Sequence, residues 1–169
     1  INVLVFLWMF LNSANLESIY YDYALIPANF LNGIDVGDIT DMITSMFMHG
    51  GWMHLIGNML YLWIFGDNIE DRLGHIGYLF FYLAGGFAAA FLQTLISPSS
   101  QIPMVGASGA IAAVLGAYLV MYPNSRVYTF VPIGYFARLT LMPAIVVLGL
   151  WFLLQILSGV GSLGALNEG

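Results

Sequence analysis

The chain has no cysteine. That excludes disulfides, thiolate metal ligands and a thiol nucleophile, and leaves the redox compartment unmarked. Charge is nearly as scarce: only 7% of the 169 residues are charged, against about a quarter in soluble domains. Basic residues are the rarest, three against nine acidic ones, for a net charge of −6. So acidic a balance, with only three basic residues, argues against a nucleic-acid partner. No HExxH or carboxylate–histidine cluster occurs. His49 and His54 would diverge by about 500° along a helix, so no metal and no cofactor is expected.

What fills the chain is apolar. Hydrophobic residues make up 60% and the mean hydropathy is +0.88, a composition built for lipid. The expected fold class is all-α, a polytopic membrane helical bundle forming one domain over residues 1–169. The opening run "INVLVFLWMFL" is shorter than the roughly 20 residues a span needs. It lacks the basic and small-residue flanks of a signal peptide, and is read as a first span trimmed at its start. Four more apolar segments follow, at 51–65, 75–96, 104–122 and 139–157. A long connection, 12–50, separates the first two. In it Asp38 and Asp41 suit a helix start, with Ile39, Met42, Ile43, Met46 and Phe47 on one face; such a helix is expected at the membrane interface.

Arginine orients the arrangement. Arg72 falls between spans two and three, and Arg126 and Arg138 between spans four and five. Alternating spans put both connections on one side, which the positive-inside rule makes cytoplasmic. The acidic first connection (Glu17, Asp22, Asp35, Asp38, Asp41) is then outside. Spans two and four both start from that outer side. At about 1.5 Å per residue, His54, Asn58 and Ser108 lie within roughly 10 Å of the same surface.

His54 and Asn58, spaced i and i+4, share one side of a helix. In a bilayer both must find partners. They fit two roles, inter-helical glue or a pair of donors to a developing oxyanion. Ser108 sits in "PMVGASGAIAA" among Gly106, Ala107, Gly109 and Ala110. Small neighbours clear space above its hydroxyl, and a helix start favours negative charge. Gly106, Ala110, Ala113 and Ala117 equally read as a packing stripe. His75, on the opposite side, reads as interfacial.

In combination these pieces are more specific. "HGGWMHLIGN", then "NIEDRLGH", then "GASGA" resembles the rhomboid family of intramembrane serine proteases, in order and over nearly the whole chain. The resemblance implies a six-span core around a water-filled cavity opening to the extracytoplasmic side. It implies cleavage of transmembrane protein substrates near the top of their spans, without cofactor, in an integral membrane protein expected in a bacterial cytoplasmic membrane. Membrane lipids are its other partners; oligomeric state is not legible. By that likeness Ser108 is the nucleophile, His54 and Asn58 line the oxyanion hole beside Gly106, and His49 is structural. The family's base comes from a sixth-span segment, A-H-x-x-G, which these 169 residues lack. The chain is therefore read as cut before its sixth span and as inactive or nearly so in this form. A catalytically dead relative that binds transmembrane clients is the rival reading. A transporter is weaker, since it needs polar groups through both leaflets.

Overall fold

The computed structural model describes residues 1–30, 35–133 and 136–166. The chain divides into two compact units, Ile1–Val114 and Leu115–Gly169. The first begins with α1 (Asn2–Leu11), a 3₁₀ turn (Ser13–Asn15) and α2 (Leu16–Tyr23). The Asn12 amide folds back to donate to the Trp8 carbonyl at 2.8 Å. There the path bends by 84°. Two further helices lie in the long connection, α3 (Pro27–Phe30) and α4 (Val36–Ser45).

The start of α4 differs from expectation. Asp35 is the cap: its carboxylate accepts from the Asp38 N–H at 3.0 Å, and Asp38 accepts from the Asp35 N–H at 2.9 Å. This reciprocal pair satisfies two otherwise orphaned donors. Asp41 lies a turn beyond it. The expected apolar face also narrows. Met42 and Met46 are buried, whereas Ile39 and Ile43 are exposed, because α4 is rotated to drive the Met46 thioether against Gly86, where no Cβ would fit.

Next come α5 (Trp52–Tyr61), a π turn (Leu62–Gly66) and α6 (Asp67–Ile96). The sequence suggested separate spans at 51–65 and 75–96. Although the first continues beyond residue 65, the structure keeps them as two helices that part at Gly74, whose φ of 70° and ψ of 161° leave the helical region. A side chain would be strained there. The stretch Trp52–Ile96 is long and apolar enough to cross a membrane; α1 passes only with the bent segment that follows it. Helix α7 (Ser108–Met121) begins four residues after the expected Met104. Residues before it are extended: Met104 N–H donates to the Leu25 carbonyl at 2.8 Å in an isolated bridge.

Two small clusters contribute to the packing of this unit. Met9, Ile19, Ala24 and Met48 pack together with Val105 at their edge. Leu25, Phe30, Met42 and Ala90 form the other, with Met104 against it. Aromatic edges at Trp52 meet Phe6 at 4.8 Å and Phe10 at 5.7 Å, joining α1 to α5. Helices α6 and α7 touch through small residues. A Cβ on Gly109 would lie 2.7 Å from that of Ala89, and one on Gly85 would collide with Ala113. The packing seam is thus Gly85 and Ala89 against Gly109, Ala110 and Ala113, so that Ala110 and Ala113 of the expected stripe take part in it. The missing side chains let the backbones close in.

The second unit holds a strand pair that the all-α expectation omitted. β1 (Arg126–Ile133) and β2 (Phe136–Pro143) are antiparallel, pairing Thr129 with Thr140 and Phe130 with Leu139. The run Val127-Tyr-Thr-Phe-Val131 is β-branched and aromatic throughout, the composition strands favour. Ala144 N–H donates to the Ser125 carbonyl at 2.9 Å and closes the hairpin base. α8 (Ala144–Leu166) then starts after Pro143, five residues later than expected, and continues well past 157 into what was read as a loop. The fold is mostly helical with one hairpin.

Candidate active site

Three short segments supply the site: the turn before α5, the first two turns of α5, and the extended approach to α7. Phe47 and His49 come from the first. His49 is buried, and its Nδ1 lies 3.3 Å from the Phe47 carbonyl. A carbonyl only accepts, so Nδ1 carries the hydrogen and Nε2 is left as an acceptor. The buried Asn58 amide fills that role, its Nδ2 donating to His49 Nε2 at 3.0 Å. The two histidine rings meet edge to face, 5.1 Å between centroids. The helical rotation that would have spread them does not apply, because His49 precedes the helix that begins at Trp52.

Gly106 comes from the third segment. Its N–H donates to the Ser45 carbonyl at 2.9 Å, and its φ is 125°, outside the reach of ordinary side chains. That conformation lays its Cα against α5. A Cβ there would stand 2.7 Å from His54 Cε1, 2.8 Å from His54 Nε2 and 3.8 Å from Asn58 Nδ2. His49, His54, Asn58 and Gly106 therefore form one cluster. Ser108 follows two residues later as the first residue of α7, half-buried. Among the described residues, no hydrogen bond joins its hydroxyl to His54 or Asn58. Ala107, at the cap position before it, has no side-chain acceptor for the first free N–H groups of α7, so these remain available to an anion.

Protonation follows burial. His49 is pushed down to about 4 by loss of water and then by the adjacent His54 ring, despite the Phe47 carbonyl. It is neutral at pH 7. Asp41 is raised by burial first and then by Asp38, Asp35 and Asp22. His75 takes no part: exposed on the far side of Gly74, its Nδ1 pairs with Glu70 Oε1 at 2.6 Å. Two contributors escaped the sequence reading, the Ser45 and Phe47 carbonyls. Any residue type carries a carbonyl, so no pattern could reveal them.

An apolar, mostly helical chain with a G-x-S-G helix start beside a His–Asn pair defines the class. The Rhomboid domain family model matches residues 36–166, and the chain belongs to the rhomboid family. Among its relatives, Rhomboid protease GluP of Bacillus subtilis (strain 168) is 32% identical over 133 residues, 79% of this chain and 25% of that protein. RHOMBOID-like protein 6, mitochondrial, of Arabidopsis thaliana is 40% identical over 78 residues, 46% of this chain and 25% of that protein. Presenilin-associated rhomboid-like protein A, mitochondrial, of Danio rerio is 33% identical over 87 residues, 50% of this chain and 23% of that protein. The matches thus span about a quarter of the length of these curated relatives. No solved structure matches.

Proposed function

We propose that the full-length protein is an intramembrane serine endopeptidase, acting on transmembrane substrates near the extracytoplasmic surface. In this reading residues 1–169 form one membrane domain whose apolar segments cross the bilayer as a bundle. Large apolar side chains exposed on several helices support it, among them Leu4, Met53, Phe80 and Ile156. The domain match running from 36 to 166, across both compact units, supports a single domain.

The observation that carries the chemistry is the contact of Gly106 with His54 and Asn58, two residues before Ser108. Ser108 Oγ attacks the scissile carbonyl carbon, and the carbonyl oxygen becomes an oxyanion. Asn58 has two amide hydrogens and gives one to His49, which leaves one for the oxyanion. His54 supplies a second donor, and the Ser108 N–H a third. Such preorganised donors are worth about 10²–10³ in rate each. Gly106, lacking a side chain, keeps the space beside the imidazole and amide open. The rhomboid resemblance assigns the base to a histidine in an A-H-x-x-G segment, and residues 1–169 hold no such segment.

The test is fluorophosphonate labelling of the full-length protein in membranes, with Ser108→Ala alongside. Labelling that vanishes in the variant supports the reading. Equal labelling of both removes Ser108 as nucleophile. A full-length chain without that histidine, unlabelled but still capturing transmembrane helices, would establish the client-binding alternative instead.

A further inference from the structure

We propose that the β1–β2 hairpin docks on the anionic phospholipid headgroups of the leaflet it faces. The register places Tyr128 opposite Leu141 and Phe130 opposite Leu139, all four on one face. Their exposures are 74%, 45%, 72% and 52% in that order. Val127, Thr129, Val131, Thr140 and Met142, on the other face, are half-buried, whereas Phe136 and Arg138, on that face near the tip, are exposed. A two-stranded ribbon is marginal in water by itself, and an aromatic patch of this kind marks a contact surface. Something covers it.

Charge identifies the occupant. Two of the chain's three basic residues, Arg126 and Arg138, lie on the hairpin, one at its base and one near its tip. No Asp or Glu occurs from residue 72 through 167, although the whole chain carries −6. The hairpin is thus a cationic island joined directly to the apolar α8. Tyrosine, phenylalanine and arginine together suit the headgroup layer, where rings sit at the acyl boundary and guanidinium groups meet phosphate. Pairing of two copies through this face would instead bring their Arg126 side chains together with no carboxylate among them.

The test uses nitroxide labels on the full-length protein in a cysteine-free background. One label is at Tyr128→Cys and, separately, one at Ile145→Cys on α8. Vesicles are phosphatidylcholine alone or with phosphatidylglycerol added. With phosphatidylglycerol, the label at 128 is expected to be reached by oxygen and shielded from a water-soluble nickel chelate. Arg126→Gln with Arg138→Gln lowers the ratio of docked to free hairpin roughly thirty-fold, at about 1 kcal/mol per arginine, while the Lys pair retains it. A label at 128 that stays open to nickel in both lipids, with 145 shielded, overturns the proposal but not the membrane reading. Nickel access at both positions sinks the membrane reading itself. Dipolar broadening between labels at 128 reassigns the face to chain–chain contact and likewise overturns the proposal.

Discussion

Asn58 donates to His49 Nε2 across 3.0 Å, between two side chains that are both buried. Each partner therefore depends on the other for its orientation, and the loop before α5 becomes part of the site.

Removing His49 should leave a buried amide hydrogen without an acceptor, at about 1–3 kcal/mol. His49→Ala is expected to lower thermal stability by that amount and to slow labelling of Ser108. Thermal unfolding with labelling kinetics checks both. An unchanged variant would mean that the bond contributes nothing.

Gly106→Ala should be far worse than an average surface change. Its Cβ would press on the His54 ring, and alanine resists a φ of 125°. On the proposed mechanism, disturbing either donor predicts a fall of about 10²–10³ in the Ser108 labelling rate. Gly57→Ala, on α5 with nothing near its would-be Cβ, is the matched control and should label normally.

Acid should loosen the site before it reaches the carboxylates. The unfolded chain takes a proton on His49 near 6.5, and the folded chain refuses it until about 4. Above 6.5 there is no penalty. As pH falls from 6.5 toward 4 stability drops by up to about 3 kcal/mol and then levels off. Asp41, raised rather than lowered, acts oppositely: its folded form holds a proton at higher pH. Unfolding across this range in wild type and His49→Gln isolates the histidine, since the variant should lose most of the slope.

The α6–α7 seam predicts a rescue. Gly85→Ala sets a methyl against that of Ala113 and should cost about 1–3 kcal/mol by overpacking. Adding Ala113→Gly removes the opposing methyl. The double variant should recover most of the stability, and additive losses would contradict direct contact.

Much of the site was legible because its chemistry needs particular side chains. The i, i+4 spacing of His54 and Asn58, and the small residues around Ser108, survive in the structure as read. The divergence expected of His49 and His54 fails because helical rotation was carried back to residue 49, ahead of the segment's own start at 51. Asp35 was overlooked as a cap because Asp38 and Asp41 look equally suitable without the reciprocal hydrogen bonds. The hairpin was missed for a different reason. In sequence its second strand merges with the apolar segment 139–157, and the short β-branched run after Arg126 has no turn signal strong enough to mark a hairpin. The glycine seam was half visible, since composition marks small residues but does not say which side of α7 meets α6.

The Ser45 carbonyl, at the last residue of α4, holds the Gly106 N–H at 2.9 Å. One peptide-to-peptide link thereby makes α4 a lever arm for the glycine next to the imidazole. A shift of α4 that keeps this bond would carry the Gly106 backbone with it.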